Sequence, residues 1–279
     1  MLKERDYFTD HSVLLDPYQY FEEMRPRGPI AQLETRDCLL LTGFEECVEV
    51  LKNPTDFSSL NSLASSAFPL PFTPQGSDIS AQLEEHREKY VGFDLLVCLD
   101  GERHANVRSL VGRMFAPRRL KDNERFMTDY ARQLVGKAVA DGRCELVNQI
   151  STPYVTMVVA DLLGVPAADR VKFEERLAQN QTVGSIDNPD APTDTSTLEF
   201  MGAFFYQYLA ERRENPGNDL LSELATASYP RGVTPDILDL VKLAVFMFAA
   251  GQDTSAKLLG NAMRYIVDVP GLQRLLRDD

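Results

Sequence analysis

The sequence predicts a mainly α-helical protein with one small β-sheet near its N-terminus. From Asp122 onward, apolar residues recur in most segments at the spacing of an α-helix. The longest such pattern runs from Thr234 to about Val267, which is more than 30 residues. Only the short segments 30–34 (IAQLE) and 38–43 (CLLLTG) have the character of strands. The three residues between them predict a hairpin.

The N-terminal third predicts two helices around this hairpin. Asp16 followed by Pro17 is a typical helix start, and this helix should end before Pro26. A second helix covers residues 44–53 and is stopped by Pro54. Residues 57–83 mix Ser, Pro and Gly with aromatic side chains, and a long loop that keeps its aromatics is often functional.

The rest of the chain predicts five helical segments, at residues 101–120, 125–142, 151–166, 198–215 and 234–267. A polar loop, residues 184–197, precedes the fourth segment. For the last helix, Thr234 is the predicted N-cap and Pro235 the first helical residue.

Composition limits the function classes. The 279 residues are 44% hydrophobic and 25% charged, which is typical of a globular protein. A net charge of −13 argues against nucleic-acid binding, which needs Lys and Arg to neutralise phosphates. No apolar run approaches the ~18 residues of a membrane span, and no signal peptide is visible. Four cysteines without a C-x-x-C pair suit a reducing compartment, so we expect a soluble cytoplasmic protein.

Several catalytic motifs are absent from the sequence. No G-x-G-x-x-G, Walker loop or H-E-x-x-H occurs, which removes the usual signals of dinucleotide binding and zinc hydrolysis. No G-x-S-x-G elbow occurs either, although a Ser-His-Asp triad stays open on sequence alone.

The longest helix is interrupted at its centre. Residues 243–250 carry no polar side chain, and Gly251, Asp253 and Thr254 follow. At 100° per residue, Met247 and Ala250 lie within about 40° of Thr254, and Gly251 lies about 60° away. One helix face therefore presents apolar side chains, a small-residue notch and a hydroxyl, which can bond the Ala250 carbonyl.

Two interpretations of this notch remain open. In the first, the glycine permits close helix packing, and the acid and the threonine are satisfied locally. In the second, the notch is part of a groove for a small ligand, and Asp253 and Thr254 pass protons into it.

A second candidate site lies in the basic stretch 102–125, where seven Lys or Arg against three acids give +4. His104 and Arg108 are one helical turn apart, along one border of an apolar stripe. Two such donors need an anion, and a carboxylate of a cofactor would serve. The alternatives are a protein acid, or a satisfied histidine beside a solvated arginine.

Together these stretches resemble the soluble bacterial cytochromes P450, the haem-thiolate monooxygenases. "LDGERHANVRSLVGRMFAPRRL" is similar to the family's segment with an acid, H-x-x-x-R and F-x-P-R-R. "AAGQDTS" fits the family pattern [AG]-G-x-[DE]-T-[TS] at every position. Further similar segments, such as "DPYQYFEEMRPRGPI", "VVADLLGVP" and "NDLLSEL", extend the resemblance over nearly the whole chain.

The resemblance implies an incomplete cytochrome P450 fold, with residues 1–279 as a single partial domain. It implies haem b (iron protoporphyrin IX), O2, a ferredoxin or similar electron donor, and an apolar small-molecule substrate. Thr254 and Asp253 would deliver protons, His104 and Arg108 would hold a haem propionate, and Ala250 and Gly251 would line the haem. The expected substrate-contacting residues are Phe68, Leu70, Phe72, Phe246 and Met247, for which ordinary core packing is the alternative.

The chain departs from the family in two respects that concern activity. The family's thiolate ligand lies in an F-x-x-G-x-x-x-C-x-G loop near the C-terminus, and none of the four cysteines occurs in such a loop. An E-x-x-R after the long helix is also absent. We therefore expect a truncated monooxygenase that is inactive alone and has no axial cysteine. The alternative is a non-catalytic helical module that binds a ligand or partner without haem.

Overall fold

A computed structural model describes residues 5–34, 38–63, 70–90, 92–115, 117–179 and 196–278. The chain divides into two compact units, Met1–Ala105 and Asn106–Asp279. Described residues are mainly helical, with one antiparallel pair of short strands, as the sequence predicts. Among these residues, no helix combines the length and the apolar composition of a membrane span.

Among its described residues, the first unit contains four complete α-helices and the hairpin. The helices are α1 (His11–Leu15), α2 (Pro17–Met24), α3 (Phe44–Lys52) and α4 (Ser80–Glu85). Asp16 caps α2 by accepting the Tyr18 N–H, as predicted. Strands β1 (Ile30–Gln32) and β2 (Leu39–Leu41) pair with Ile30 opposite Leu41. α1 and α4 are too short for the periodic pattern to predict, and α4 begins inside the segment that we expected to be a loop.

The core of the first unit joins the hairpin to α1 and α2. Its buried side chains are Val13, Tyr20, Met24, Ala31 and Leu33. Farther along the chain, Leu60, Leu96, Cys98 and Leu99 are also buried. These four residues fix the chain on either side of α4, and the last of them leads directly into the next helix.

The next helix, α5 (Gly101–Met114), begins in the first unit and continues into the second. The second unit then holds α6 (Pro117–Asp141), α7 (Thr152–Leu162), α8 (Ala167–Gln179), α9 (Ser196–Glu214), α10 (Leu220–Ala225), α11 (Ile237–Asp268) and α12 (Leu272–Asp278). A π-helical turn, Val147–Ser151, leads into α7. α11 is the central element, because α7, α9 and α10 all pack against it.

An aromatic cluster fills the core around the first half of α11. Phe173 of α8 packs against Phe204 and Phe205 of α9 and against Phe248 of α11. Phe173, Phe205 and Phe248 are fully buried. α11 is therefore a core helix over its first half, which contains the apolar run 243–250, as the composition of that run predicts.

The predicted start of α11 is wrong by two residues. Asp236, and not Thr234, is the N-cap: its carboxylate accepts the Leu238 N–H at 2.8 Å, and the helix begins at Ile237. Pro235 precedes the helix, and its carbonyl oxygen accepts a hydrogen bond of 3.0 Å from Arg213. Sequence alone could not choose between two good caps in succession.

Candidate active site

The predicted notch lies where α11 changes from a buried to an exposed helix. Leu243 and Phe248 are buried, Met247 and Gly251 are half-buried, and Ala250 is exposed. Beyond this point, Asp253 and Thr254 are exposed as well. The helix is continuous from Ile237 to Asp268, so the glycine does not open it.

Gly251 allows α7 to approach α11 closely. A Cβ at this position would lie 3.2 Å from Cγ2 of Val159, which is tighter than ordinary van der Waals contact. One residue later, the Gln252 side-chain amide donates a hydrogen bond of 2.9 Å to the hydroxyl of Thr156, a buried residue of α7. These two contacts fix α11 at the notch and agree with the close-packing interpretation of the glycine.

The acid and the threonine point away from those packing contacts. The Thr254 hydroxyl donates to the Ala250 carbonyl oxygen at 2.7 Å, which confirms the predicted bond. The Asp253 carboxylate accepts a hydrogen bond of 2.7 Å from the Lys257 ammonium, one turn along the helix. Both side chains of this ion pair are exposed, so it contributes at most about 1 kcal/mol. Neither Asp253 nor Thr254 is thus part of a packed interface among the described residues.

His104 and Arg108 lie one turn apart on α5, and both are exposed. Within the part of the chain that the structure describes, neither side chain has a hydrogen-bond or ion-pair partner. Neighbouring Arg103 does have one, because its guanidinium donates two hydrogen bonds to the Glu84 carboxylate. The absence of a partner among the described residues disfavours a protein acid as the partner of His104 and Arg108, and their exposure leaves both the anion site and a solvated arginine open.

The predicted substrate-contacting residues belong to both units. Phe68 lies outside the described residues. In the first unit, Leu70 and Phe72 are half-buried, and the Phe72 ring packs against the His86 ring at 4.8 Å. In the second unit, Phe246 and Met247 are half-buried on α11. A role in substrate contact remains a prediction for each of them.

The described residues fit a haem in two respects, but no cysteine is placed on either of the two helices that would contact it. Two donors on α5 without a partner among the described residues suit its carboxylates, and the exposed Ala250 and Thr254 on α11 suit a planar ring, whereas Gly251 packs against α7. None of the four cysteines lies on α5 or α11. Burial raises the pKa of the Cys98 thiol, which disfavours the thiolate form that a metal needs. No group of three or more His, Cys, Asp or Glu that could hold a metal ion occurs among the described residues.

Sequence reasoning missed three residues of this region. Lys257 pairs with Asp253, and the spacing of four residues on a helix could have indicated that pair. Gln252 and Thr156 are separated by 96 residues, and no local pattern predicts their hydrogen bond.

Comparison with known proteins decides the family. Cytochrome P450 144 of Mycobacterium tuberculosis is 26% identical over 277 residues, which cover 99% of this chain and 62% of that protein. The vitamin D(3) 25-hydroxylase of Pseudonocardia autotrophica is 28% identical over 185 residues, 66% of this chain and 45% of that protein. The structure of cytochrome P450 CYP150A6 from Mycobacterium marinum, in its substrate-free form, matches with a TM-score of 0.89 and 39% identity.

The chain belongs to the cytochrome P450 family. The match to CYP150A6 covers 99% of this chain. The chain spans 62% of the length of cytochrome P450 144 and 64% of CYP150A6. No family model matches the chain.

Proposed function

We propose that the chain is part of a haem-dependent monooxygenase that hydroxylates an apolar small molecule. It would supply the residues that bind the haem propionates and those on the side of the haem where O2 binds. The observation that carries this proposal is the notch of α11. Its packing contacts to α7 involve Gly251 and Gln252, while Ala250 and Thr254 stay exposed on another face. Asp253 and Thr254 are exposed beside the buried first half of α11 and are therefore accessible to a bound ligand.

His104 and Arg108 would bind the haem carboxylates. Both are donors without a partner among the described residues, and a guanidinium binds a carboxylate strongly because the hydrogen bonds are charge-assisted. When bound, haem b supplies the activation of O2 with electrons from a ferredoxin or similar donor. The chain's own residues then have to hold the ligand, exclude water and deliver protons.

Thr254 and Asp253 would perform the proton delivery. The Thr254 hydroxyl is both a donor and an acceptor, and its bond to the Ala250 carbonyl holds it on the notch face. Asp253 is exposed and can exchange protons with solvent, while Lys257 holds its carboxylate one turn farther along the helix. Phe246 and Met247, half-buried before the notch, would contact the apolar substrate.

The spectrum of the reduced, CO-bound haem tests the proposal. We expect no thiolate-type Soret band when haemin is added to the chain alone, because no cysteine is suitably placed. A fusion of the chain to the C-terminal part of CYP150A6 that carries the family's cysteine loop should give that band. The matched control replaces the loop cysteine by serine.

Two outcomes would contradict the proposal. A fusion that folds but retains no haem would favour a helical module that binds a ligand or partner without haem. A thiolate-type band from the chain alone would show that one of its four cysteines is a ligand after all.

The role of Phe246 has a separate test. In the same fusion, Phe246→Ala should weaken substrate binding and change the distribution of products, because the side chain would contact the substrate. Unchanged affinity and products would remove Phe246 from the substrate site.

A further inference from the structure

The start of α5 is connected to the loop after α3 by a group of hydrogen bonds that no part of the proposed function uses. The Asp100 carboxylate accepts a hydrogen bond from the Ser58 hydroxyl at 2.5 Å. It also accepts the Ser59 backbone N–H, at 2.9 Å and 3.2 Å to its two oxygens. We call these three residues the Asp100 clamp. All of them lie in the first unit.

Both ends of the clamp are held by the core. Ser58 and Ser59 precede Leu60, which is buried, and the Leu60 N–H donates to the Ser58 hydroxyl at 3.1 Å. Asp100 follows Cys98 and Leu99, which are buried as well. The carboxylate therefore joins two anchored segments that are about 40 residues apart in sequence, and it does not merely satisfy a mobile loop.

The position of Asp100 affects the position of His104 through the turn at Gly101. Gly101, the first residue of α5, has a φ of +55°, a conformation that side chains other than glycine rarely adopt. The His104 N–H bridges this turn by donating to the Asp100 carbonyl oxygen at 3.2 Å. The direction of the first turn, and of the His104 side chain with it, thus depends on where Asp100 is held.

A second connection to the same turn is weaker. Arg103 donates hydrogen bonds of 2.8 Å and 3.2 Å to Glu84 of α4. Both side chains of this pair are more than half exposed, and such pairs contribute little because water and salt screen them. In the Asp100 clamp, Ser58 is exposed, but Asp100 and Ser59 are half-buried and Ser59 supplies a backbone donor, so the clamp should dominate.

We propose that Asp100 is a positioning residue that orients His104 toward the carboxylate of a bound ligand. The proposal rests on the proposed function, in which that ligand is haem. Asp100 itself does not touch the ligand: it acts through Ser58 and Ser59 on one side and through the first turn of α5 on the other.

The test uses the chain as it is and two probes, haemin and haemin dimethyl ester. The esters lack the carboxylates, so the ratio of the two dissociation constants reports the carboxylate contacts alone. We expect the wild-type chain to prefer haemin, and His104→Ala to reduce this preference roughly tenfold, the value of one hydrogen bond to a charged group.

Asp100→Ala should reduce the preference about as far as His104→Ala, and the double variant should show no further loss. Asp100→Asn keeps one acceptor and should lie in between. Glu84→Gln is the matched control and should leave the preference unchanged. A variant that fails to fold loses affinity for both probes, so the ratio separates positioning from stability. Hydrogen exchange of the amides in the first turn of α5 should be faster in Asp100→Ala.

The outcomes separate this proposal from the proposed function. If the wild-type chain prefers haemin and Asp100→Ala keeps that preference, the positioning role is wrong and the carboxylate site stands. If the two losses add in the double variant, Asp100 does not act through His104. If the wild-type chain does not distinguish the probes, both the carboxylate site and the positioning role are wrong.

Discussion

Both halves of α11 carry large apolar side chains, but the two halves differ in how far these side chains are buried. In the first half, Leu240, Ala244 and Phe248 are fully buried. In the second half, Leu258, Tyr265 and Val267 are 67%, 65% and 64% exposed. The change occurs at the notch, where Gly251 and Gln252 contact α7. Apolar residues alone therefore do not mark the core of this chain, and the candidate site lies at the boundary between a covered and an uncovered part of one helix.

The largest expected difference between the two halves is in stability. Phe248→Ala removes a fully buried ring that packs against Phe173, and should lower the free energy of unfolding by about 3–5 kcal/mol. Leu258→Ala should change it by no more than about 0.5 kcal/mol, because that side chain is exposed. Urea denaturation of both variants measures the difference. Equal effects would mean that the second half is packed in solution.

The contact at the boundary should have an intermediate effect. Gly251→Val places two methyl groups against Val159 and should cost about 1–3 kcal/mol. Combining it with Val159→Ala should recover part of this cost, since the methyl groups that clash are gone. A double-mutant cycle on the unfolding free energies gives the coupling. A coupling energy of zero would show that α7 and α11 are not in close contact there.

The exposed half of α11 should also favour self-association of the isolated chain. Exposed apolar side chains of this kind promote association, so light scattering should detect dimers or larger species at high protein concentration. Leu258→Lys combined with Val267→Lys should shift the protein toward monomer. Monodisperse wild-type monomer that melts cooperatively would contradict this expectation.

Local sequence patterns predict several secondary-structure elements well. They predict poorly which side chains are buried and which distant segments are in contact. The hairpin, the α2 cap and the extent of α11 to within two residues follow from local patterns. The bond from Thr254 to Ala250 was also predictable, because both residues are on one helix turn. The Gln252–Thr156 bond and the Asp100 clamp join segments distant in sequence, and no periodic pattern contains that information.

A local pattern also could not determine at which residue α11 begins. Thr234 and Asp236 are both good caps, and the helix uses Asp236, while the Pro235 carbonyl oxygen accepts a hydrogen bond from Arg213. Exposure of His104 and Arg108 could not be predicted either, since a helical stripe shows which residues share a face and not what covers it.

Proton delivery through Thr254 at the notch of α11 is tested most directly by one measurement. In the fusion that carries the family's cysteine loop, peroxide released per electron pair is measured for wild type, Thr254→Ala and Thr254→Ser. We expect Thr254→Ala to keep its fold and its haem, consume electrons and release peroxide in place of hydroxylated product. Thr254→Ser, which keeps the hydroxyl, should restore most of the product. Unchanged coupling in a well-folded Thr254→Ala would contradict the account, and the notch would then be a packing feature only.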